Sequence, residues 1–100
     1  MKLIFPVTAD NQDEAELTKI ADAPYWVQLT IFEGRVSNVE FSKDSDGFSE
    51  LSDGVVVCDD GEYVWPFIEL GMMVLVAQFQ RTIDDIVEAY LFKELNELAY

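Results

Sequence analysis

The spacing of apolar side chains along this chain passes from a period of two to unbroken runs and then to a period near 3.6, and each change predicts an element. Residues 3–7 form a short apolar run, read as a strand, followed by polar loop chemistry over 8–13 and a short helix over 15–20. From 26 to 32, Val27, Leu29 and Ile31 alternate with Trp26, Gln28, Thr30 and Phe32, a strand pattern rich in β-branched and aromatic residues. Glu33-Gly34 supplies a two-residue turn, and residues 35–41 return as the second arm of a hairpin. A loop over 42–47 and one helical turn over 48–51 lead to Gly54-Val55-Val56-Val57-Cys58. That run is continuously apolar and bounded by turn residues, so it reads as a strand buried on both faces.

The second half alternates helices and strands. Residues 62–70 are expected to return as a crossover helix whose regular turns begin near Pro66, because proline lacks an N–H and displaces Trp65 from helical geometry. Gly71 reads as a helix-ending glycine, and residues 72–76 as the next buried strand. Thr82, with Asp85 three residues on, forms a carboxylate variant of the capping box. Ile83, Ile86, Val87, Tyr90, Leu91, Leu95 and Leu98 then recur on one helical face. Residues 3–7, 55–58 and 72–76 are expected to run parallel. With the hairpin they make one α/β domain over residues 1–100, a mixed five-stranded sheet covered by helices.

Half of the 100 residues are hydrophobic, enough for one core without disulfide or metal staples. Six basic residues against twenty acidic ones give a formal net charge of -14, a field that repels phosphate backbones and anionic head groups. Neither nucleic acid nor membrane is therefore expected as a partner. Cys58 is the sole cysteine and the N-terminus lacks a signal-peptide pattern, so the expected location is a reducing cytoplasm. Residues 63–79 contain Glu69, Gly71 and Gln78 and are broken by Pro66, unlike a membrane span. Without histidine no Ser-His-Asp or Cys-His pair can form. No glycine-rich phosphate loop is present, and residues 3–7 carry no carboxylate to seed a two-metal nuclease site. An enzyme is not expected.

Met1-Lys2-Leu3-Ile4-Phe5-Pro6-Val7, the stretch Asp22-Ala23-Pro24-Tyr25-Trp26 running into the hairpin, and Thr82-Ile83-Asp84-Asp85-Ile86-Val87-Glu88-Ala89-Tyr90-Leu91 resemble one known family. It is the nitrogenase cofactor-accessory family, also called the dinitrogenase iron-molybdenum cofactor-binding domain. The resemblance spans nearly the whole chain and is carried by framework segments. It implies a ribonuclease-H-like fold, an iron-molybdenum or iron-sulfur cluster as cofactor, and a non-enzymatic binding or accessory role. In that family a His-Phe-Gly-Arg type loop precedes the Ala-Pro-Tyr stretch; here Lys19-Ile20-Ala21-Asp22 stands in its place. Lysine is protonated near neutral pH and ligates iron poorly, and Ala21 in place of glycine hinders close backbone approach. The family's small residue and Gly-Gly after the buried strand are replaced by Cys58-Asp59-Asp60-Gly61.

Lys19, Cys58, Asp59 and Asp60 are the cofactor-site candidates this resemblance leaves. For Cys58 the plainer expectation is a small buried hydrophobe, with Asp59 or Asp60 capping the next helix; a thiolate ligand is the other reading. Separately, Ser42-x-Asp44-x-Asp46-Gly47-x5-Asp53 follows the register of a calcium loop, with serine first and aspartate for the final glutamate; the plain alternative is a solvated turn. Tyr63, Trp65 and Phe67 flank Pro66 and are expected in the core. Exposure of Tyr63, Trp65 and Tyr100 would instead favour an acidic interaction or regulatory module that keeps the fold, carries no metallocluster and works through another protein.

Overall fold

Alternation along the first strand decides how the sheet divides the molecule. In the computed structural model, which describes residues 1–98, β1 (Lys2–Val7) places Leu3, Phe5 and Val7 in one hydrophobic core and Ile4 in another. All four are fully buried, so β1 is covered on both faces. It pairs antiparallel with β2 (Tyr25–Phe32), Phe5 opposite Val27, and β2 pairs antiparallel with β3 (Arg35–Ser42). The expected hairpin is present. Glu33 and Gly34 both have positive φ, 52° and 78°, the geometry that a two-residue turn needs to match strand twist. Beyond it, Ile31 faces Val36 while Thr30 faces Asn38, so Ser37 is the extra residue of a bulge.

β4 (Gly54–Val57) lies parallel to β1, and β5 (Met73–Val76) parallel to β4, as their unbroken apolar runs predict. Between them α1 (Trp65–Glu69) covers the Ile4 face through Phe67, and after β5 α2 (Ile83–Leu91) covers the Leu3 face through Ile83 and Ile86. The sheet has six strands, not five, in the order β3-β2-β1-β4-β5-β6. The sixth is β6 (Asn96–Glu97), antiparallel to β5. It exists because α2 stops sooner than its apolar periodicity predicts. The N–H of Lys93 donates to Tyr90 O and that of Glu94 to Ala89 O, with Lys93 at φ 59°, which reverses the chain. Leu95 and Leu98 therefore leave the helical face and pack into opposite cores, as residues on a strand do.

Two other expected elements are absent for tertiary reasons. Residues 15–20 are not an α-helix. Leu17 N donates to Arg81 O at 2.7 Å and Thr18 N to Pro6 O at 3.0 Å, while alternate residues Ala15 and Leu17 enter the core. Residues 48–51 form no helical turn because the buried amide of Gln28 donates to Glu50 O and Ser52 Oγ, pinning this segment to β2. The crossover helix is five residues long and lies inside the expected 62–70 span, with Pro66 in its first turn; Trp65, expected to be displaced from helical geometry, is its first residue. Among the described residues no helix is long and apolar enough to cross a membrane.

Candidate functional site

Because β1, β4 and β5 run parallel, their carboxyl ends meet at one edge of the sheet, the side on which open α/β sheets bind ligands. Two segments reach that edge. One follows β4: Cys58, Asp59, Asp60, Gly61 and Glu62. The other precedes β2, whose Tyr25 pairs with Val7 at the end of β1. It holds Lys19 and a turn of 3-10 helix over Ile20–Asp22. Glu62 joins them. Its Oε1 accepts the Ile20 N–H at 2.7 Å, and its Oε2 accepts the N–H groups of Cys58 and Asp59, each at 3.1 Å. The Cys58 Sγ lies 3.5 Å from the same Oε2 and donates to it. Three backbone donors and a thiol thus converge on one carboxylate, a concave arrangement of the sort that receives anions.

The thiol is altered by this setting. Burial, then the charge of Glu62, then the hydrogen bond to its carboxylate push Cys58 above its ordinary pKa, and Arg81 offsets a little of that. Cys58 is half-buried and packs against the Leu3 core, which agrees with the structural expectation and disfavours thiolate at neutral pH. Asp59 does not cap α1. Its Oδ1 accepts the Gly61 N–H at 2.8 Å, which holds its carboxyl below the usual range, with smaller help from Asp60 and Lys19. Asp60 does not cap α1 either: the helix begins after Val64, with no side-chain cap. Lys19 lines a cavity of about 330 Å³ with Ile20, Ala21, Glu62 and Tyr63.

Sequence reasoning overlooked Glu62 as a site residue. The signal was local: an Asp-Asp-Gly turn directly before a glutamate lets the side chain fold back onto N–H groups three and four positions earlier. The calcium-register residues separate. Asp44 and Asp46 lie in the loop after β3, whereas Asp53 enters β4, its carboxylate accepting the Lys2 N–H at 2.7 Å. Among the described residues no group of three or more acidic, cysteine or histidine side chains is placed to hold a metal ion. The aromatics also divide. Phe67 is core, but Tyr63 is 73% and Trp65 51% exposed: Tyr63 lies before α1, and Trp65, two positions from Phe67, falls on the opposite side of the helix, about 200° around its axis. Tyr100 lies outside the described residues.

No family model matches the chain. No curated protein matches it either. Solved structures do. The crystal structure of PH0822 superposes with a TM-score of 0.74 at 20% identity, covering 97% of this chain and 94% of that one. A protein of Methanocaldococcus jannaschii, MJ0327, described as a "putative dinitrogenase", superposes with a TM-score of 0.73 at 14% identity, covering 99% and 95%. At such identities the likeness is one of fold, and this chain shares the dinitrogenase-like α/β fold of MJ0327 along nearly its full length.

Proposed function

We propose that the chain is a non-enzymatic accessory protein that acts by binding another protein. It is built on the ribonuclease-H-like scaffold of the dinitrogenase iron-molybdenum cofactor-binding family, and its ligand loop is given over to structure. The strand order, an antiparallel three-stranded half joined to parallel strands, supports the scaffold assignment. The observation that carries the loss of cofactor binding is the Glu62 carboxylate. It occupies the N–H groups of Ile20, Cys58 and Asp59, at the edge where an anionic cluster would need them.

The residues present do not fit an iron-molybdenum or iron-sulfur cluster. The chain has one thiol and no imidazole, burial and Glu62 keep that thiol protonated, and the neighbouring carboxylates oppose an anionic cluster. The test is anaerobic titration with an iron-sulfur cluster and with iron-molybdenum cofactor, followed by gel filtration and iron analysis. The protein is expected to elute without stoichiometric iron. Tight retention that disappears in Cys58→Ala would overturn the reading and make Cys58 a ligand.

A further inference from the structure

An apolar groove runs beside α1 and adjoins the segment that Glu62 holds, sharing Ile20 and Tyr63 with the cavity beside it. Its floor is Trp26 of β2 and Phe67 of α1, with ring centroids 5.6 Å apart, and Tyr63, Leu70, Asp44 and Asp46 are among the residues around it. The space measures about 540 Å³. A shallower continuation shares Asp46, Phe67 and Leu70 and extends to Phe48, Leu51 and Met72. Tyr63, Leu70 and Leu51 are 73%, 62% and 82% exposed, so three large apolar side chains lining these two depressions contribute little to the protein's own core. The fold does not explain their placement.

Charge decides what the groove fits. Asp44 and Asp46 flank it with Lys43 as the one cation of that loop, and Glu50 lies along the continuation, bonded to Lys2 at 2.8 Å. Among the described residues that is the one ion pair, so the carboxylates of Asp44 and Asp46 carry no salt bridge. With a net charge of -14 the chain repels acidic segments, and a second copy would bring the same charge to the contact. We propose that this groove docks an amphipathic, lysine- or arginine-bearing segment of a partner protein. Apolar side chains of the segment enter between Tyr63 and Leu70, over Trp26 and Phe67, while its cations meet Asp44 and Asp46. The proposal rests on the protein-binding reading above and names the chemistry of the partner.

The probe is a synthetic amphipathic peptide with leucine and lysine at helical spacing, titrated calorimetrically into the full chain at physiological ionic strength. The control peptide has glutamate in place of lysine. The basic peptide is expected to bind and the acidic one not. The double variant Tyr63→Ala/Leu70→Ala should weaken binding about tenfold, as removal of exposed apolar contacts at an interface does. Asp44→Asn/Asp46→Asn should weaken it severalfold and flatten its salt dependence. Phe79→Ala should leave it unchanged. Phe79 is 87% exposed and lies beside Asp85, Glu88 and Glu94 in a separate depression, so it controls for nonspecific attraction to any apolar residue among acids. Absence of binding overturns the groove, as does binding that all three variants weaken alike. Neither result touches the protein-binding reading itself, which falls on stoichiometric retention of a cluster.

Discussion

The two helices end alike and begin differently. Each closes with one C-terminal motif. At α1, Gly71 N donates to Ile68 O and Met72 N to Phe67 O; at α2, Lys93 N donates to Tyr90 O and Glu94 N to Ala89 O. At its start α2 has Thr82, whose hydroxyl accepts the Asp85 N–H at 3.1 Å, and Asp84 and Asp85 complement the dipole of its first turn. α1 has neither a cap nor a first-turn acid. The nearest acid on its N-terminal side, Glu62, lies outside the helix. Glu62 spends its charge on the loop rather than on the helix end, joining that loop to a segment far away in sequence. The difference separates two kinds of information: α2 is specified by its own residues, while the approach to α1 is specified by a contact across the fold.

Removing that contact is the strongest way to test the difference. Glu62→Ala leaves three N–H groups without their charged acceptor. Hydrogen bonds to charged groups are worth roughly 1.5–3 kcal/mol, and the half-exposed position of Glu62 lets water replace part of the loss. A destabilisation of about 2 kcal/mol is expected in urea denaturation, with the slope unchanged. Hydrogen exchange should accelerate at the amides of Ile20, Cys58 and Asp59 together. If it accelerates at Cys58 and Asp59 but not at Ile20, Glu62 is a local turn residue and the cross-fold tie is refuted.

The same contrast explains which parts of the molecule were legible in its sequence. The hairpin was, because Glu33-Gly34 provides the left-handed turn directly between two alternating arms. So were Thr82, Gly71 and the buried parallel strands, each of which obeys a rule spanning only a few residues. The sixth strand was hidden. Lysine at a left-handed helix end gives no glycine signal, and the leucines at 95 and 98 extend the helical period past the point where the backbone reverses. Residues 15–20 were hidden too, since their donors are used by Arg81 and Pro6. At the candidate site, Cys58 as a structural thiol was readable. The carboxylate that holds it was half readable, because one of its three N–H partners, Ile20, lies 42 residues away.

The paired helix ends allow a smaller, two-sided experiment. Gly71 has φ 83° with open space around it, so Gly71→Ala meets no clash and isolates the backbone cost of a left-handed residue. That cost is roughly 1–2 kcal/mol, partly offset by the stiffer unfolded chain, and a net loss of about 1 kcal/mol is expected. Lys93→Gly runs the other way. It relieves the strain at φ 59° but removes a cation from the C-terminal end of α2, so the gain should be near 0.5 kcal/mol. Urea midpoints that move in opposite directions would sharpen the equivalence of the two ends. A loss of stability in Lys93→Gly would show that the lysine contributes through its charge rather than tolerating a forced conformation.

The smallest expected effect lies in the Cys58 thiol and reports on the loop without disturbing the fold. Burial, Glu62 and the hydrogen bond between them raise its pKa above the ordinary 9.0. Below that value both folded and unfolded chains carry the thiol protonated, and the stabilisation from the raised pKa is complete. As pH rises through 9.0 the unfolded chain loses the proton first, so stability falls until the folded thiol has also titrated. A shallow decline in the urea midpoint above pH 9.0 is therefore expected in the native chain and not in Cys58→Ser. Alkylation by iodoacetamide at pH 8 should be slower than that of a free cysteine, because the thiolate fraction is reduced. Glu62→Gln removes the charge and keeps one acceptor oxygen of the two; with that oxygen on Cys58 and Asp59 the Ile20 N–H loses its acceptor, and the reaction should speed severalfold. Burial remains the first cause of the shift, so the rate should stay below that of the unfolded chain. Alkylation of the native protein as fast as that of the unfolded chain would mean that the loop opens readily and that Glu62 does not hold it.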